Sequence, residues 1–241
     1  NMLRIFWIAG VVEALSSSSS SVSRRPVLEG AGVAAAGLVL PGRASSSGGD
    51  ATSTVLRDGS RFPLVSFGLQ VYDDERARKY TSQALDLGYR NFFASVLAGN
   101  QKGFAKAVRE SGVPRSEIFV CGSVLSNRAR GFDAAYALSK RGCDENLAAL
   151  DLGSGSPLDM IMLDYPGPDA DSIRGQWAAL EKMKADGQVT SLALSNFSPA
   201  QLDVILKDDS LPTKPTVNQL PVGVGYKAAN NLRLLEENER R

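Results

Sequence analysis

Any chemistry in this chain has to be done without histidine, because none occurs among its 241 residues. That excludes Ser-His-Asp and Cys-His triads, zinc sites built on His, and every imidazole acid or base. The two cysteines, Cys121 and Cys143, are too few for a disulfide framework and too far apart for a zinc pair, and they read as buried thiols. Carboxylates, Tyr, Lys, Cys and Ser are left to carry a reaction. A formal net charge of +1 gives no electrostatic basis for capturing nucleic acid or an anionic membrane. With 43% hydrophobic and 22% charged residues, the composition is that of an ordinary globular domain.

Such residues need a scaffold, and from about Val55 onward the chain alternates apolar runs with amphipathic segments. Phe62–Leu69, Tyr89–Ala94, Ile118–Gly122, Leu158–Leu163, Val189–Leu194 and Thr216–Leu220 read as strands. Between them lie predicted helices. Asp73–Leu87 carries Ala77, Tyr80, Ala84 and Leu87 on one face, and Asn100–Ser111 is a short helix ended by Gly112 and Pro114. Phe132–Leu152 reads as helix, and Asp171–Ala185 has a stripe of Ile173, Trp177, Leu180 and Met183. Ser198-Pro199-Ala200-Gln201 combines a capping box with proline at the first helical position. A sixth helix is expected to begin within Asn230–Arg241.

The strands are apolar throughout, the pattern of parallel strands covered by crossover helices. Periodicity does not choose between an open doubly wound sheet and a closed barrel. The absence of a Gly-x-Gly-x-x-Gly after the first strand weakens a dinucleotide-binding open sheet.

Four ordered segments make that choice. Leu56-Arg-Asp-Gly59 through Pro63-Leu-Val-Ser-Phe-Gly68 resembles the opening hairpin and first strand of the aldo-keto reductase family. Ala84-Leu-Asp-Leu-Gly-Tyr-Arg90 resembles its first helix entering strand two. Trp177–Lys184 followed by Gly187–Phe197 is similar to its helix-four to strand-five signature, and Val217-Asn-Gln219 to strand six. The resemblance implies an α/β fold, a TIM-type (β/α)8 barrel over residues 55–241 with about six of eight units present.

It also implies NADPH-dependent reduction of a small carbonyl substrate by an Asp, Tyr, Lys and His tetrad at the strand C-terminal ends. Tyr donates a proton, Lys lowers its pKa, Asp orients Lys, and His positions the carbonyl. Here the equivalent positions are Phe93 for Asp, Ala98 for Tyr, Ser123 for Lys and Asp164 for His. Neither Ala98 nor Phe93 carries a proton, and Ser123 supplies no cation. Asp164 with Tyr165 is the remaining acid-base pair near the expected mouth, but adjacent strand residues point to opposite faces. Ser195, Asn196 and Gln219 match family positions that bond the nicotinamide carboxamide; satisfying backbone groups at strand ends is their alternative role. NADP(H) is the implied cofactor.

The family would supply strands seven and eight, with their phosphate-binding loops, beyond Arg241. The residues after Ala44 also fall short of the roughly 250 that a barrel of this type takes. Either the sequence is truncated or a protein partner closes the sheet, and NADP(H) binds weakly if the chain ends at Arg241.

Residues 1–50 differ in kind. Ser16–Ser21, then Arg24-Arg25, an uncharged run from Gly30 to Leu40 and Gly42-Arg43-Ala44 read as a Ser-rich transit region followed by a twin-arginine-like signal cleaved near Ala44. The apolar run is too short for a transmembrane span. In algae with plastids such a pair addresses the thylakoid lumen; a Ser/Gly-rich disordered tail is the alternative. The functional expectation is a reductase-like chain impaired in carbonyl reduction that binds or scaffolds, against an active NADPH-dependent oxidoreductase using Asp164, Tyr165 or Cys121.

Overall fold

In the computed structural model, residues 52–95, 98–153, 156–220, 236–237 and 240 are described, so the expected targeting region lies outside them, as does nearly all of the expected sixth helix. The chain opens with a two-stranded antiparallel hairpin, β1 (Ser53–Val55) and β2 (Arg61–Pro63). The expected continuous strand from Phe62 is therefore two pieces. Leu64 and Val65 are exposed, and β3 (Ser66–Gly68) then joins a different sheet.

That sheet contains β3, β4 (Asn91–Ser95), β5 (Phe119–Leu125), β6 (Leu158–Asp164), β7 (Val189–Ser195) and β8 (Val217–Gln219). Every neighbouring pair is parallel, and the spatial order is the chain order. A doubly wound sheet reverses its strand order part-way, at the point where its ligand binds. Sequential order without reversal is the order of a barrel, and the sheet curls as six strands of one.

Five helices connect the strands: α1 (Asp74–Asp86), α2 (Gln101–Glu110), α3 (Phe132–Leu150), α4 (Ala170–Ala185) and α5 (Pro199–Leu206). Their starts are written locally. Asp73 caps α1 by accepting from the Arg76 amide at 2.8 Å, and Asp169 caps α4 from Ser172 at 2.8 Å. At α5 both halves of the capping box form around Ser198 and Gln201. All four residues of the α4 stripe are buried. In α1 the expected stripe is rotated: Ala77, Thr81, Ala84 and Leu85 are buried, while Leu87 is 79% exposed. Leu87 is the C-cap, and Gly88 leaves the helix at φ +91°, so Leu87 lies past the last packed turn.

Side chains alternate across the strands and divide the core into two layers. Outward residues such as Phe92, Val120, Ile161, Leu163 and Leu194 pack with the helices, together with Phe104, Trp177 and Leu180. Inward residues Phe93, Phe119, Cys121, Met160, Met162, Ala193 and Val217 fill the curl with Leu56 and Phe62 of the hairpin region. The hairpin thus plugs the N-terminal end of the strands. A polar latch holds it there. The inward Ser191 hydroxyl donates to the Asp58 carboxylate at 2.7 Å, and its oxygen lies 2.8 Å from the Ser60 hydroxyl. Burial raises the Asp58 pKa, but the hydrogen bonds from Ser191 and Ser60 outweigh it and leave the carboxyl below its ordinary value. Among the described residues no helix is long and apolar enough to cross a membrane.

Candidate active site

The other end of the curl, at the strand C-termini, is where chemistry can be placed. Strand register sets which residues face inward together. Leu125 of β5 pairs with Asp164 of β6, Asp164 with Ser195 of β7, and Ser195 with Gln219 of β8. These four form the outermost inward row. Ser123, Met162, Ala193 and Val217 form the row beneath. Phe93 and Cys121 lie one inward row deeper still.

Depth decides what each expected site residue can do. Phe93 is 3% exposed and belongs to the inner apolar cluster, so it is core. Ser123 is buried at the second row; β5 runs on to Leu125, so this serine lies below the rim rather than at the strand end expected from sequence. Ala98 sits half-buried in the loop after β4. Cys121 is buried in the inner cluster, and burial pushes its thiol well above the ordinary range, so it provides no thiolate. Burial likewise pushes the Cys143 thiol up to about 12. Tyr165 is 46% exposed, just past the end of β6 with φ +65°, whereas Asp164 is buried and inward. The two do not sit together as an inward-facing pair.

Asp164, Ser195 and Asn196 do come together. The Asn196 amide donates to the Asp164 carboxylate at 3.2 Å and to the Ser195 hydroxyl at 2.9 Å, and Ser195 in turn bonds Asp164. Burial raises the Asp164 pKa, and the two hydrogen bonds partly oppose the rise. Among the described residues Asp164 has no ion-pair partner. Asn196 reaches inward because its own backbone is left-handed at φ +64°, with its amide N–H bonded to the Gln219 carbonyl at 2.8 Å. Half-buried Asn196 Oδ1 and the Gln219 side-chain amide accept and donate nothing among the described residues.

The alternative role considered for these residues, satisfying strand-end backbone, falls instead to Asn218. Its amide donates to the Phe197 carbonyl at 3.0 Å, and its Oδ1 accepts from the Phe197 N–H at 3.4 Å. Residue alternation was the available signal, because an outward Asn between inward Val217 and Gln219 must find a buried partner.

Two buried amide networks, absent from the sequence expectations, hold this mouth in place. Gln101 donates to the Ala94 carbonyl and to Asn146 Oδ1, and Asn146 donates to the Ser123 carbonyl at 2.7 Å. Gln176 accepts from the Gly167 N–H at 2.7 Å and donates to Ser126, which contacts Ser139 at 2.6 Å; this fixes the loop after β6. No group of three or more metal-ligating residues occurs among the described residues.

Residues 64–233 match the Aldo/keto reductase family. This chain belongs to that family. An aldo-keto reductase of Mycolicibacterium smegmatis (strain ATCC 700084 / mc(2)155) is 30% identical over 168 residues, covering 70% of this chain and 56% of that protein. Glyoxal reductase of Bacillus subtilis (strain 168) is 31% identical over 168 residues, 68% of this chain and 56% of that protein. The chain therefore spans a little over half the length of the curated relatives it matches. The crystal structure of an aldo/keto reductase from Brucella melitensis superposes with TM-score 0.64 at 26% identity, covering 78% of this chain and 69% of that one. The fold is thus part of a TIM-type barrel in an oxidoreductase family whose members generally use NAD(P)H.

Proposed function

We propose that this chain is an aldo/keto reductase relative that has lost carbonyl reduction but kept a binding site at the barrel mouth, and that it acts as a binding or scaffold module. One observation carries this reading. The positions that the family resemblance assigns to orienting acid, proton donor, activating cation and carbonyl-positioning group hold a buried phenyl ring, a methyl, a buried hydroxyl and a carboxylate (Phe93, Ala98, Ser123, Asp164). None of the first three exchanges a proton near neutral pH. Carbonyl reduction builds negative charge on oxygen, which donors and cations stabilise. An ionised Asp164 would repel that oxygen.

The donor set that remains suits a primary carboxamide. Asn196 Oδ1 is an open acceptor, and Gln219 offers an amide that both donates and accepts. NADP(H) would bring such a carboxamide and, in its reduced form, a transferable hydride. Ser195, Asn196 and Gln219 would hold its nicotinamide end. Titration of the 241-residue chain with NADPH, followed by cofactor fluorescence, tests the reading. Saturable binding without turnover of an aldehyde panel is expected; turnover would favour the second reading, an active oxidoreductase using a non-standard site. That reading draws on one feature, the buried Asp164 carboxyl, whose raised pKa keeps it protonated, and so able to donate, to a higher pH than an ordinary aspartate.

The compartment belongs to the same proposal. Residues 1–50 would deliver the barrel of residues 55–241 to the plastid, through the Ser-rich stretch and Arg24-Arg25 to the thylakoid lumen. A full-length fluorescent fusion is expected to accumulate there, and the Arg24→Lys/Arg25→Lys double substitution to hold it in the stroma. Cytosolic fluorescence of the native fusion would remove the compartment from the proposal.

A further inference from the structure

Asp164 is a buried carboxylate whose bonding is one-sided. It accepts from Asn196 at 3.2 Å and from the Ser195 hydroxyl, yet no cation among the described residues faces it. A buried carboxylate without a cation is costly, and a ligand that brings positive charge relieves that cost. The neighbouring positions in its row do not supply one: Leu125 is apolar, while Ser195 and Gln219 are neutral. The row beneath offers Ser123, Met162 and Ala193. Within these two rows Asp164 is the one carboxyl or cationic side chain among the described residues, and it lies beside the side chains suited to a carboxamide.

A nicotinamide ring has the same carboxamide in both oxidation states but differs in charge. The oxidised ring is a pyridinium cation, and the reduced ring is neutral. We propose that Asp164 makes this mouth selective for the oxidised form, so that the site reports or stores NADP+ rather than drawing on NADPH. This deepens the binding reading given above and rests on it. The same Asn196 amide that would meet the carboxamide is hydrogen-bonded to the carboxylate, which would put the carboxylate beside a ring held there. An opposite charge within about 4–6 Å shifts an ionisation equilibrium by one to three decades. Applied to ring charge, the lower end of that range gives a preference of about tenfold. Through the linkage between binding and oxidation, tenfold corresponds to a lowering of the bound two-electron midpoint potential by about 30 mV.

The test is a pair of calorimetric titrations of the 241-residue chain at pH 8, one with NADP+ and one with NADPH, repeated on Asp164→Asn. The variant keeps the shape and the ability to accept from Asn196 but removes the charge; circular dichroism verifies that it is folded. NADP+ is expected to bind about tenfold more tightly than NADPH to the native chain, and the ratio is expected to fall to within about twofold in the variant. Equal affinities, tighter NADPH, or a preference that survives Asp164→Asn would overturn the oxidation-state claim while leaving the binding reading intact. Binding of neither nucleotide would overturn both. If the variant does not fold, equal affinities or tighter NADPH on the native chain still overturn the claim. The same comparison with 1-methylnicotinamide and its dihydro form removes the phosphates, and the same order of preference is expected; a reversed order would assign the selectivity to phosphate contacts and overturn the role of Asp164.

Discussion

Gly175→Ala tests whether the mouth is set by close approach of two helices. A β-carbon built at Gly175, in α4, falls 2.2 Å from the Phe132 carbonyl oxygen and 2.9 Å from the Phe132 carbonyl carbon and Cα. The shortest of these is roughly 0.8 Å inside the 3.0 Å that real β-carbons keep. Because the neighbours are backbone, no rotamer change relieves the clash, and α4 must move away from the start of α3. Overpacking of this kind costs about 1–3 kcal/mol, with the upper end expected here. Replacing glycine by alanine inside a helix returns about 1 kcal/mol. The net expectation is about 2 kcal/mol of destabilisation, or roughly 4–8 °C in melting temperature for a domain of this size. Gly142→Ala, in α3, is the internal control. It gains the same propensity, but its new methyl would meet the Val124 Cγ1 methyl at 2.8 Å, only about 0.2 Å inside the same limit, though Val124 is a buried β-branched side chain with little freedom to move. It should lose stability by less than Gly175→Ala, by about 1 kcal/mol or under. Chemical denaturation followed by circular dichroism measures both. A neutral or stabilising Gly175→Ala, or equal losses in both variants, would refute the packing argument. Gln176 moves with α4, so the same variant should loosen the loop it holds through the Gly167 N–H.

Three other outcomes follow from the electrostatics. Asp164→Asn should raise the melting temperature at pH 8: burial raises the Asp164 pKa in the fold, so its ionisation opposes folding as pH climbs from the ordinary carboxyl value through the raised one, and the amide removes that cost. A fall in melting temperature would mean that the carboxylate is better satisfied than its contacts indicate. Asp58→Asn should weaken the hairpin latch by about 1–2 kcal/mol, read as faster amide exchange in β1 and β2 with little change in β6 and β7. Asp208 is held down to about 2 by hydrogen bonds from Ser210 and by Arg174. Its contribution is therefore present above the ordinary carboxyl value and is lost as pH falls toward about 2, so Arg174→Met should reduce acid sensitivity in melts between pH 4 and 2.

Local signals in the sequence were good where the physics is local. The capping box at Ser198 and the α4 stripe each depend on residues within a few positions, and each is present in the fold. The α1 stripe was misread because the last turn ends on a cap, which turns Leu87 outward. The mouth was only half legible. Motif order gave the barrel and named Ser195, Asn196 and Gln219, but strands apolar on both faces hide which residues point inward. Register had to show that Asp164 shares a row with Ser195 and Gln219 while Cys121 and Phe93 lie deep. The buried amides Gln101, Asn146 and Gln176 left no trace at all. Their partners lie as far as 45 and 50 positions away in the chain, and a glutamine on a helix reads locally as part of a solvated face.

The central claim is that this mouth binds without reducing a carbonyl. It is tested most directly by single-turnover absorbance at NADPH concentrations below that of the 241-residue chain, with a panel of small aldehydes in excess. Cofactor absorbance is expected to decay no faster than in protein-free solution. Decay that scales with protein concentration, yields the alcohol and is abolished by Asp164→Asn would contradict that claim.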